Sequence, residues 1–216
     1  MNILRSFLIA CSFLTILPVP AMEWTEDNMR PFCLAFPLVG IPIGALWGLL
    51  AFALSGWSAS PTLRGVVMAL CALALTGGIH MDGLMDTCDA LFSRRDREAR
   101  LKILSDPHAG AFAVMGCAAA LLLQSAIFAE LLSAPPSAAF LLLLGTIPLW
   151  SRLGMGLLLN ATPFAREDGL ARTLGALRTR RHSLYLIAGA ALLAAWNLRT
   201  AGAPALCLPL TECAVF

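Results

Sequence analysis

Charged residues are scarce in this chain of 216 residues: Asp, Glu, Lys and Arg together make up 13% of it, while apolar residues make up 59%. A soluble domain carries about 25% charged residues, which help to cover its surface. Together with a mean hydropathy of +0.79, this shortage excludes an ordinary soluble domain, a disordered chain and a coiled coil. The composition predicts a membrane protein that crosses the bilayer several times. The formal net charge of +2 does not indicate nucleic acid as a partner.

Cys-x-x-Cys pairs are absent as well. The seven cysteines are an odd number, and most of them lie inside apolar runs. The sequence therefore indicates neither a thiol redox pair nor a zinc cluster. It favours cysteines that pack as small apolar residues.

Long apolar runs fill most of the chain. A helix needs about 20 apolar residues to cross a bilayer, and continuous runs favour helices because the strands of membrane barrels alternate in polarity. We expect one all-α domain over residues 1–216, a polytopic membrane bundle with five or six transmembrane helices. The candidate runs are residues 33–55, 61–78, 109–132, 137–159, 183–198 and 203–216.

Residues 6–18 form a shorter apolar segment near the start. The segment resembles a signal peptide, and residues 8–11 resemble a lipoprotein cleavage box, but the apolar run continues past Cys11. That continuation argues against cleavage. We expect a retained short helix, which at this length fits an interfacial or re-entrant position as well as a crossing one.

Basic residues concentrate in two long loops, residues 80–108 and 160–182, whereas the links at residues 56–60 and 133–136 are short and uncharged. Two predicted spans separate the long loops, so both loops lie on the same face of the membrane. The positive-inside rule predicts that this face is cytoplasmic.

Acidic residues gather in the first of these loops. Asp82, Asp86 and Asp89 are spaced i, i+4 and i+7, which would place three carboxylates on one face of a helix. Such like charges repel one another unless a divalent cation binds between them. Magnesium prefers oxygen ligands and often shares carboxylates with substrate phosphates, so the pattern predicts a Mg²⁺ site for phosphoryl transfer. A solvated amphipathic helix and a proton or cation pathway are the alternatives.

His80 and Asp106 lie towards the two ends of the acidic segment. His80 could bind the metal, act as a base or hydrogen-bond to backbone at a helix end. Asp106 followed by Pro107 predicts the N-cap and the first residue of the third long helix, and the same carboxylate could approach the metal. Gly110 allows a close approach of the backbone.

Arginines supply the candidate phosphate contacts. The planar guanidinium of Arg166 matches a phosphate, so Arg166 is a candidate phosphate clamp. Arg152 lies within an apolar run, where an unpaired charge is costly, and we expect it to pair with an acid or a bound phosphate. Residues 94–102 are interpreted as a solvated helix that could also meet anionic lipid or substrate.

The sequence from Thr76 to Asp89, Thr-Gly-Gly-Ile-His-Met-Asp-Gly-Leu-Met-Asp-Thr-Cys-Asp, resembles the signature of the cobalamin synthase (adenosylcobinamide-GDP ribazoletransferase) family. Further collinear resemblance lies in residues 13–20, 36–40, 95–98, 103–110 and 163–170. The resemblance implies a multi-pass enzyme of the bacterial inner membrane in the last steps of cobalamin biosynthesis. Its reaction would join α-ribazole, or its 5′-phosphate, to adenosylcobinamide-GDP, release GMP, form adenosylcobalamin or its 5′-phosphate, and need Mg²⁺.

The resemblance also implies roles for residues within the matching motifs. The implied metal ligands are Asp82, Asp86 and Asp89, with Asp106 as a further ligand or base and His80 as another catalytic candidate. The candidate substrate-binding residues in these motifs are Gly77, Gly78, Gly83, Gly110, Arg166 and Asp168, and Arg152 joins them because of its place in an apolar run. Membrane lipid surrounds such an enzyme, and nucleic acid is not among its expected partners.

The chain departs from the family pattern in two places. Ala90 stands where the family usually has glycine, and residues 199–216 lack the usual final Gly-Gly-x-Thr-Gly-Asp loop and the helix after it. We hypothesise a truncation or frameshift near residues 196–199, which would make the chain an inactive remnant.

Two other function classes compete with the transferase. A membrane phosphotransferase that acts on CDP-alcohols also uses spaced aspartates, but its Asp-Gly-x-x-Ala-Arg start is not matched from Asp82 onward. A transporter or channel, which is not an enzyme, predicts acids near the middle of the bilayer. Here the acids lie at a predicted helix end beside a basic loop, which favours the transferase.

Overall fold

A computed structural model of the chain describes residues 3–165, 169–175 and 179–201. Those residues form ten α-helices and no strand, which confirms the all-α prediction. They fall into two compact units: Leu54–Pro135 forms the second unit, and the described residues before and after it form the first.

The first unit contains six helices. Their bounds are α1 Ile3–Leu14, α2 Glu26–Met29, α3 Phe32–Ser55, α8 Ala138–Ala161, α9 Leu170–Gly175 and α10 Arg180–Ala201. Helix α1 confirms the short N-terminal helix, and at 12 residues it is too short to cross a bilayer as an α-helix.

Glycines let α3 and α8 pack backbone against backbone. A Cβ atom at Gly40 would lie 2.6 Å from the Leu149 Cα, and one at Gly44 would overlap the Gly145 carbonyl oxygen. Small residues at such positions are typical of helix pairs in membranes, because close approach maximises van der Waals contact. The first unit therefore rests on two 24-residue helices in direct backbone contact.

A buried polar pair joins α10 to α8 within the first unit. The amide of Asn197, which is fully buried, donates to the Thr146 hydroxyl at 3.2 Å. Thr146 in turn donates to the Leu143 carbonyl at 2.7 Å. These bonds satisfy polar groups that would be costly to leave unpaired in an apolar environment.

The second unit contains four helices. Their bounds are α4 Pro61–Leu75, α5 Ile79–Phe92, α6 Arg97–Ile103 and α7 Ala111–Leu131. Helix α4 begins where the Ser60 hydroxyl accepts from the Leu63 backbone N–H at 3.3 Å, with Pro61 as its first residue. This combination is a common helix start.

Two glycines break the chain between α4 and α5. Gly77 and Gly78 have φ angles of 60° and 77°, a region that favours glycine because it has no Cβ. The Gly78 N–H donates to the Leu73 carbonyl at 3.2 Å and closes the end of α4. Helix α5 then leaves at 93° to α4.

Helix α7 packs against both α4 and α5. A Cβ at Gly65 on α4 would lie 2.5 Å from the Ala129 backbone nitrogen, and one at Gly116 on α7 would lie 2.5 Å from the Cys88 sulfur of α5. Both contacts are closer than a side chain tolerates. Glycine contacts therefore hold α4 and α5 against α7 at two separate points along its length.

Among the described helices, α3, α7 and α8 are long and apolar enough to cross a membrane, and the bent α4–α5 pair is a fourth candidate. This confirms a helical membrane protein but not five or six spans. Helix α4 alone has only 15 residues, and polar residues including His182 and Asn197 lower the mean hydropathy of α10. The predicted run at residues 203–216 lies outside the described residues.

Candidate active site

Helix α5 presents the three aspartates of the predicted site. It runs from Ile79 to Phe92, so the helical spacing assumed for Asp82, Asp86 and Asp89 is confirmed. Its first turn is stabilised by the Asp82 N–H, which donates to the Gly78 carbonyl at 2.9 Å. The side chain of Asp82 is exposed, and Asp86 and Asp89 are partly buried.

A cavity of about 230 Å³, here called the acidic cavity, lies in the second unit. Its charged lining consists of Asp82 and Asp86 from α5 and Asp106 from the segment before α7. Three carboxylates around one water-accessible space create a negative potential that attracts cations. The other lining residues are Met85, Leu104, Ser105, Pro107, His108, Ala109 and Ala113.

Asp106 binds His108 rather than the start of α7. Its Oδ1 accepts from the His108 backbone N–H at 3.0 Å and lies 2.6 Å from the His108 Nδ1. These hydrogen bonds stabilise the carboxylate and lower the pKa of Asp106 below its ordinary value. The prediction of Asp106 as the N-cap is wrong, because α7 begins only at Ala111 and a different carboxylate caps it.

The carboxylate of Asp89 is that cap. Its Oδ2 accepts from the Gly110 N–H at 2.6 Å, and its Oδ1 accepts from the Ala113 N–H at 2.8 Å. A Cβ at Gly110 would lie 2.7 Å from one Asp89 oxygen and 2.8 Å from the other. The expected close backbone approach at Gly110 is therefore confirmed, and the group that approaches is Asp89.

Within the described residues, no group of three or more His, Cys, Asp or Glu side chains is already arranged to hold a metal ion. Asp82 and Asp86 share the acidic cavity, whereas Asp89 does not line it. The structure thus separates the three predicted ligands into two groups, and metal binding by any of them stays a prediction.

His80 and the signature glycines do not line the acidic cavity itself. His80 lines a small cavity of about 10 Å³ with Thr76 and the buried Gln124 of α7. Gly77 and Gly78 line an open cleft of about 650 Å³ together with Asp82. A Cβ at Gly83 would meet nothing within 4 Å, so that glycine has no packing role among the described residues.

The arginine candidates are placed unequally. Arg152 lies on α8 in the first unit and is only 1% exposed, so its guanidinium is buried rather than open to solvent. Arg166 and Asp168 lie outside the described residues. The interpretation of residues 94–102 as a solvated helix is supported by α6, none of whose residues is buried.

Sequence reasoning missed two features of this region. It did not assign His108 to the site, although His108 follows the Asp106–Pro107 pair that was singled out. It also assigned no role to Gln124, whose only signal was its polarity within a long apolar run. His108 is identified by the cavity that it shares with residues of α5, and Gln124 by the small cavity that it shares with Thr76 and His80.

Comparison with known proteins gives one consistent family. The family model described as cobalamin-5-phosphate synthase matches residues 6–216. An adenosylcobinamide-GDP ribazoletransferase of Desulfitobacterium hafniense (strain Y51) is 35% identical over 193 residues, which cover 88% of this chain and 74% of that protein. Another, from Stutzerimonas stutzeri (strain A1501), is 38% identical over 184 residues, which cover 84% of this chain and 72% of that protein.

Other curated relatives match over a shorter stretch. The enzyme of the same name from Clostridium botulinum (strain Eklund 17B / Type B) is 35% identical over 114 residues, which are 53% of this chain and 45% of that protein. The chain thus spans less than half the length of that relative. No solved structure matches the chain significantly.

Proposed function

The chain belongs to the cobalamin-5-phosphate synthase family, and on that premise we propose that it is a Mg²⁺-dependent transferase of cobalamin biosynthesis. It joins α-ribazole, or α-ribazole 5′-phosphate, to adenosylcobinamide-GDP and forms adenosylcobalamin or its 5′-phosphate. The relatives named adenosylcobinamide-GDP ribazoletransferase support this activity. The observation that carries the proposal is the acidic cavity, in which Asp82, Asp86 and Asp106 meet.

The reaction is a displacement at phosphorus. A ribose hydroxyl of α-ribazole attacks the cobinamide-linked phosphate, a new P–O bond forms, and the bond to the second phosphate breaks. GMP leaves with the electron pair of that bond, and the hydroxyl proton passes to a base or to solvent. Such a reaction needs positioned reactants and compensation of negative charge on the phosphates.

The donor atoms around the acidic cavity fit Mg²⁺. Asp82 and Asp86 would hold the ion, because Mg²⁺ in phosphoryl-transfer sites is bound by one or two carboxylates together with substrate phosphates and waters. A ready-made group of three protein ligands is not required for this mode. When bound, the ion would supply positive charge to the phosphate oxygens of the substrate.

Asp106 suits a ligand role better than a general-base role. A carboxylate with a lowered pKa is a weak proton acceptor, and the hydrogen bonds from His108 lower that of Asp106. His108 in turn is held by Asp106 at the rim of the acidic cavity. The pair keeps one ionised carboxylate facing the cavity at neutral pH.

We also propose that the acidic cavity faces the cytoplasm of a bacterial inner membrane. Five basic residues lie within residues 94–102, and a second basic group lies in residues 160–182. Positive charge close to membrane helices is retained on the cytoplasmic side.

The assay uses the full chain in membranes with adenosylcobinamide-GDP, α-ribazole and Mg²⁺, and measures cobalamin and GMP. Asp82→Asn and Asp86→Asn should each lower product formation by about 100-fold or more, since each removes charge where the phosphates react. Glu26→Gln is the matched control: Glu26 is an exposed acid of α2 that pairs with Arg30 at 3.4 Å, outside the stretches that resemble the family, and its loss should change the rate by less than about twofold.

Two outcomes would overturn the proposal. Equal product from the unmutated chain and both Asn variants contradicts the role of the acidic cavity. Absence of product from an inserted and folded unmutated chain contradicts the transferase itself and favours the inactive remnant.

A further inference from the structure

We propose that Asp89 is a positioning residue rather than a metal ligand: it anchors the start of α7 to α5 and so holds Asp106 beside Asp82 and Asp86. This inference rests on the proposed function only for its catalytic consequence. The anchoring itself is a property of the folded chain and can be measured without any reaction.

The contacts of Asp89 are those of an N-cap supplied by another helix. The first N–H groups of a helix have no partner within it, and Gly110, the residue before α7, has no side chain to accept them. Asp89 accepts two of these N–H groups, from Gly110 and Ala113, with both of its carboxylate oxygens. Its negative charge also interacts favourably with the positive end of the α7 dipole.

The anchor lies where it controls the acidic cavity. Asp89 follows Asp86 by three residues on α5, and its partner Gly110 follows Asp106 by four residues. The bonds between Asp89 and Gly110 therefore fix the segment that carries Asp106 to the helix that carries the other two carboxylates. Loss of the anchor would let that segment move away from α5 and widen the cavity.

Neither Asp89 nor Gly110 tolerates a simple replacement at this contact. An alanine Cβ at position 110 would lie within 2.8 Å of both carboxylate oxygens, so Gly110→Ala forces the carboxylate away while leaving its charge in place. The contact between Gly116 and Cys88 is a separate point of packing between α5 and α7. It should keep the two helices together when the anchor is removed.

The roles of ligand and anchor predict different measurements. Hydrogen exchange of the metal-free full chain in detergent reports the anchor, and Mn²⁺ binding followed by electron paramagnetic resonance reports the ligands. Asp89→Ala should accelerate exchange at residues 110–113 by about tenfold, as expected when a cap is lost, and should leave Mn²⁺ affinity within about threefold. Asp86→Asn should leave that exchange unchanged and weaken Mn²⁺ binding about tenfold or more.

Two further variants keep the test decisive if Asp89→Ala does not fold. Asp89→Asn retains one acceptor oxygen, so it should accelerate the exchange less than alanine does. Gly110→Ala retains the carboxylate of Asp89 but displaces it, and should reproduce the faster exchange with Mn²⁺ affinity preserved. In the transferase assay, both should lower kcat by about 10- to 100-fold through misplacement without a change in the Mg²⁺ concentration for half-maximal rate.

The opposite pattern would overturn the inference: unchanged exchange at residues 110–113 together with a loss of Mn²⁺ affinity in Asp89→Ala as large as that in Asp86→Asn. Failure of the proposed function gives a different result, because an unmutated chain without transferase activity would still show the exchange difference. Hydrogen exchange and Mn²⁺ binding therefore test the anchor, and product formation tests the transferase.

Discussion

Helices α3 and α8 of the first unit and helices α5 and α7 of the second unit are joined by different means. The first pair meets through glycines that bring one backbone onto the other, at Gly44 and Gly145. The second pair adds a carboxylate that bonds two backbone N–H groups, at Asp89 and Gly110. The glycine contact of the apolar pair is a fit of shapes, whereas the pair beside the acidic cavity is also held by a charge-assisted contact.

This difference follows from what each region contains. Where α3 and α8 cross, the touching residues are glycines without side chains, so this contact depends on van der Waals packing. A helix start beside the acidic cavity has unpaired N–H groups, which a carboxylate satisfies with bonds stronger than those of a neutral acceptor. A substitution that adds volume should therefore weaken the α3–α8 contact most, and one that removes charge should weaken the α5–α7 contact most.

The largest effect is expected from a substitution at the contact between α3 and α8. Gly44→Ala should destabilise the first unit by about 3 kcal/mol or more, because its Cβ meets the Gly145 backbone, which cannot move aside without shifting a helix. Gly48→Ala is the matched control, since its Cβ would lie 3.5 Å from the Leu141 carbonyl oxygen, an ordinary contact. Thermal unfolding in detergent measures both, and equal unfolding temperatures would contradict the packing argument.

A smaller effect is expected at the bend between α4 and α5, where glycine is needed for its backbone conformation and not to avoid steric overlap. Gly78→Ala should cost about 1–2 kcal/mol, because its φ of 77° is unfavourable for a residue with a Cβ, while its nearest neighbour, the Leu73 Cδ1, lies 3.9 Å away. Gly78→Asn should cost less, since asparagine tolerates this region. Chemical unfolding of the two variants measures the difference. An asparagine variant less stable than the alanine variant would show that space, not backbone conformation, requires glycine here.

The charge dependence of the second unit can be titrated at Asp106. Because His108 lowers the pKa of Asp106 in the folded chain, the stabilisation from this pair is complete above the ordinary carboxyl pKa. It is lost as the pH falls through the lower folded value. His108→Gln should raise the pKa of Asp106 towards its ordinary value, as measured by carbon NMR of labelled aspartate. An unchanged titration would show that another group stabilises the carboxylate.

The smallest effect on stability distinguishes packing from function in α5. Gly83→Ala should stabilise the second unit by about 0.5–1 kcal/mol, because alanine favours a helix interior and the position is open. A fall in transferase activity despite this gain would show that the glycine serves the close approach of a substrate. Activity equal to that of the unmutated chain would remove Gly83 from the substrate-binding candidates.

Sequence analysis succeeded where a residue's environment follows from its own neighbours. The continuous apolar runs predicted α3, α7 and α8, and the helix that was assumed in interpreting the aspartate spacing is α5. The predicted apolar run ended at Gly78, three residues after the end of α4, but the sequence did not show that the next helix leaves at 93°.

The division of the aspartates could not be predicted, because a partner 21 residues away decides it. Spacing places Asp82 and Asp89 on one stripe of the helix, yet seven residues at 1.5 Å each separate them by about 10 Å along the axis. Sequence alone does not show that the far end of that stripe meets α7. The same limit explains the wrong assignment of Asp106 as a cap, since the cap comes from another helix.

The bend at Gly77 and Gly78 has a consequence for where the chemistry takes place. Helix α5 leaves α4 at 93°, so if α4 enters a bilayer along its normal, α5 lies along the membrane surface. Exposed Leu91 and Phe92 at the end of α5 suit the headgroup region, and the Asp82 side chain is also exposed. A diphosphate substrate would then be converted at the boundary between water and lipid, and no phosphate charge would have to enter hydrocarbon.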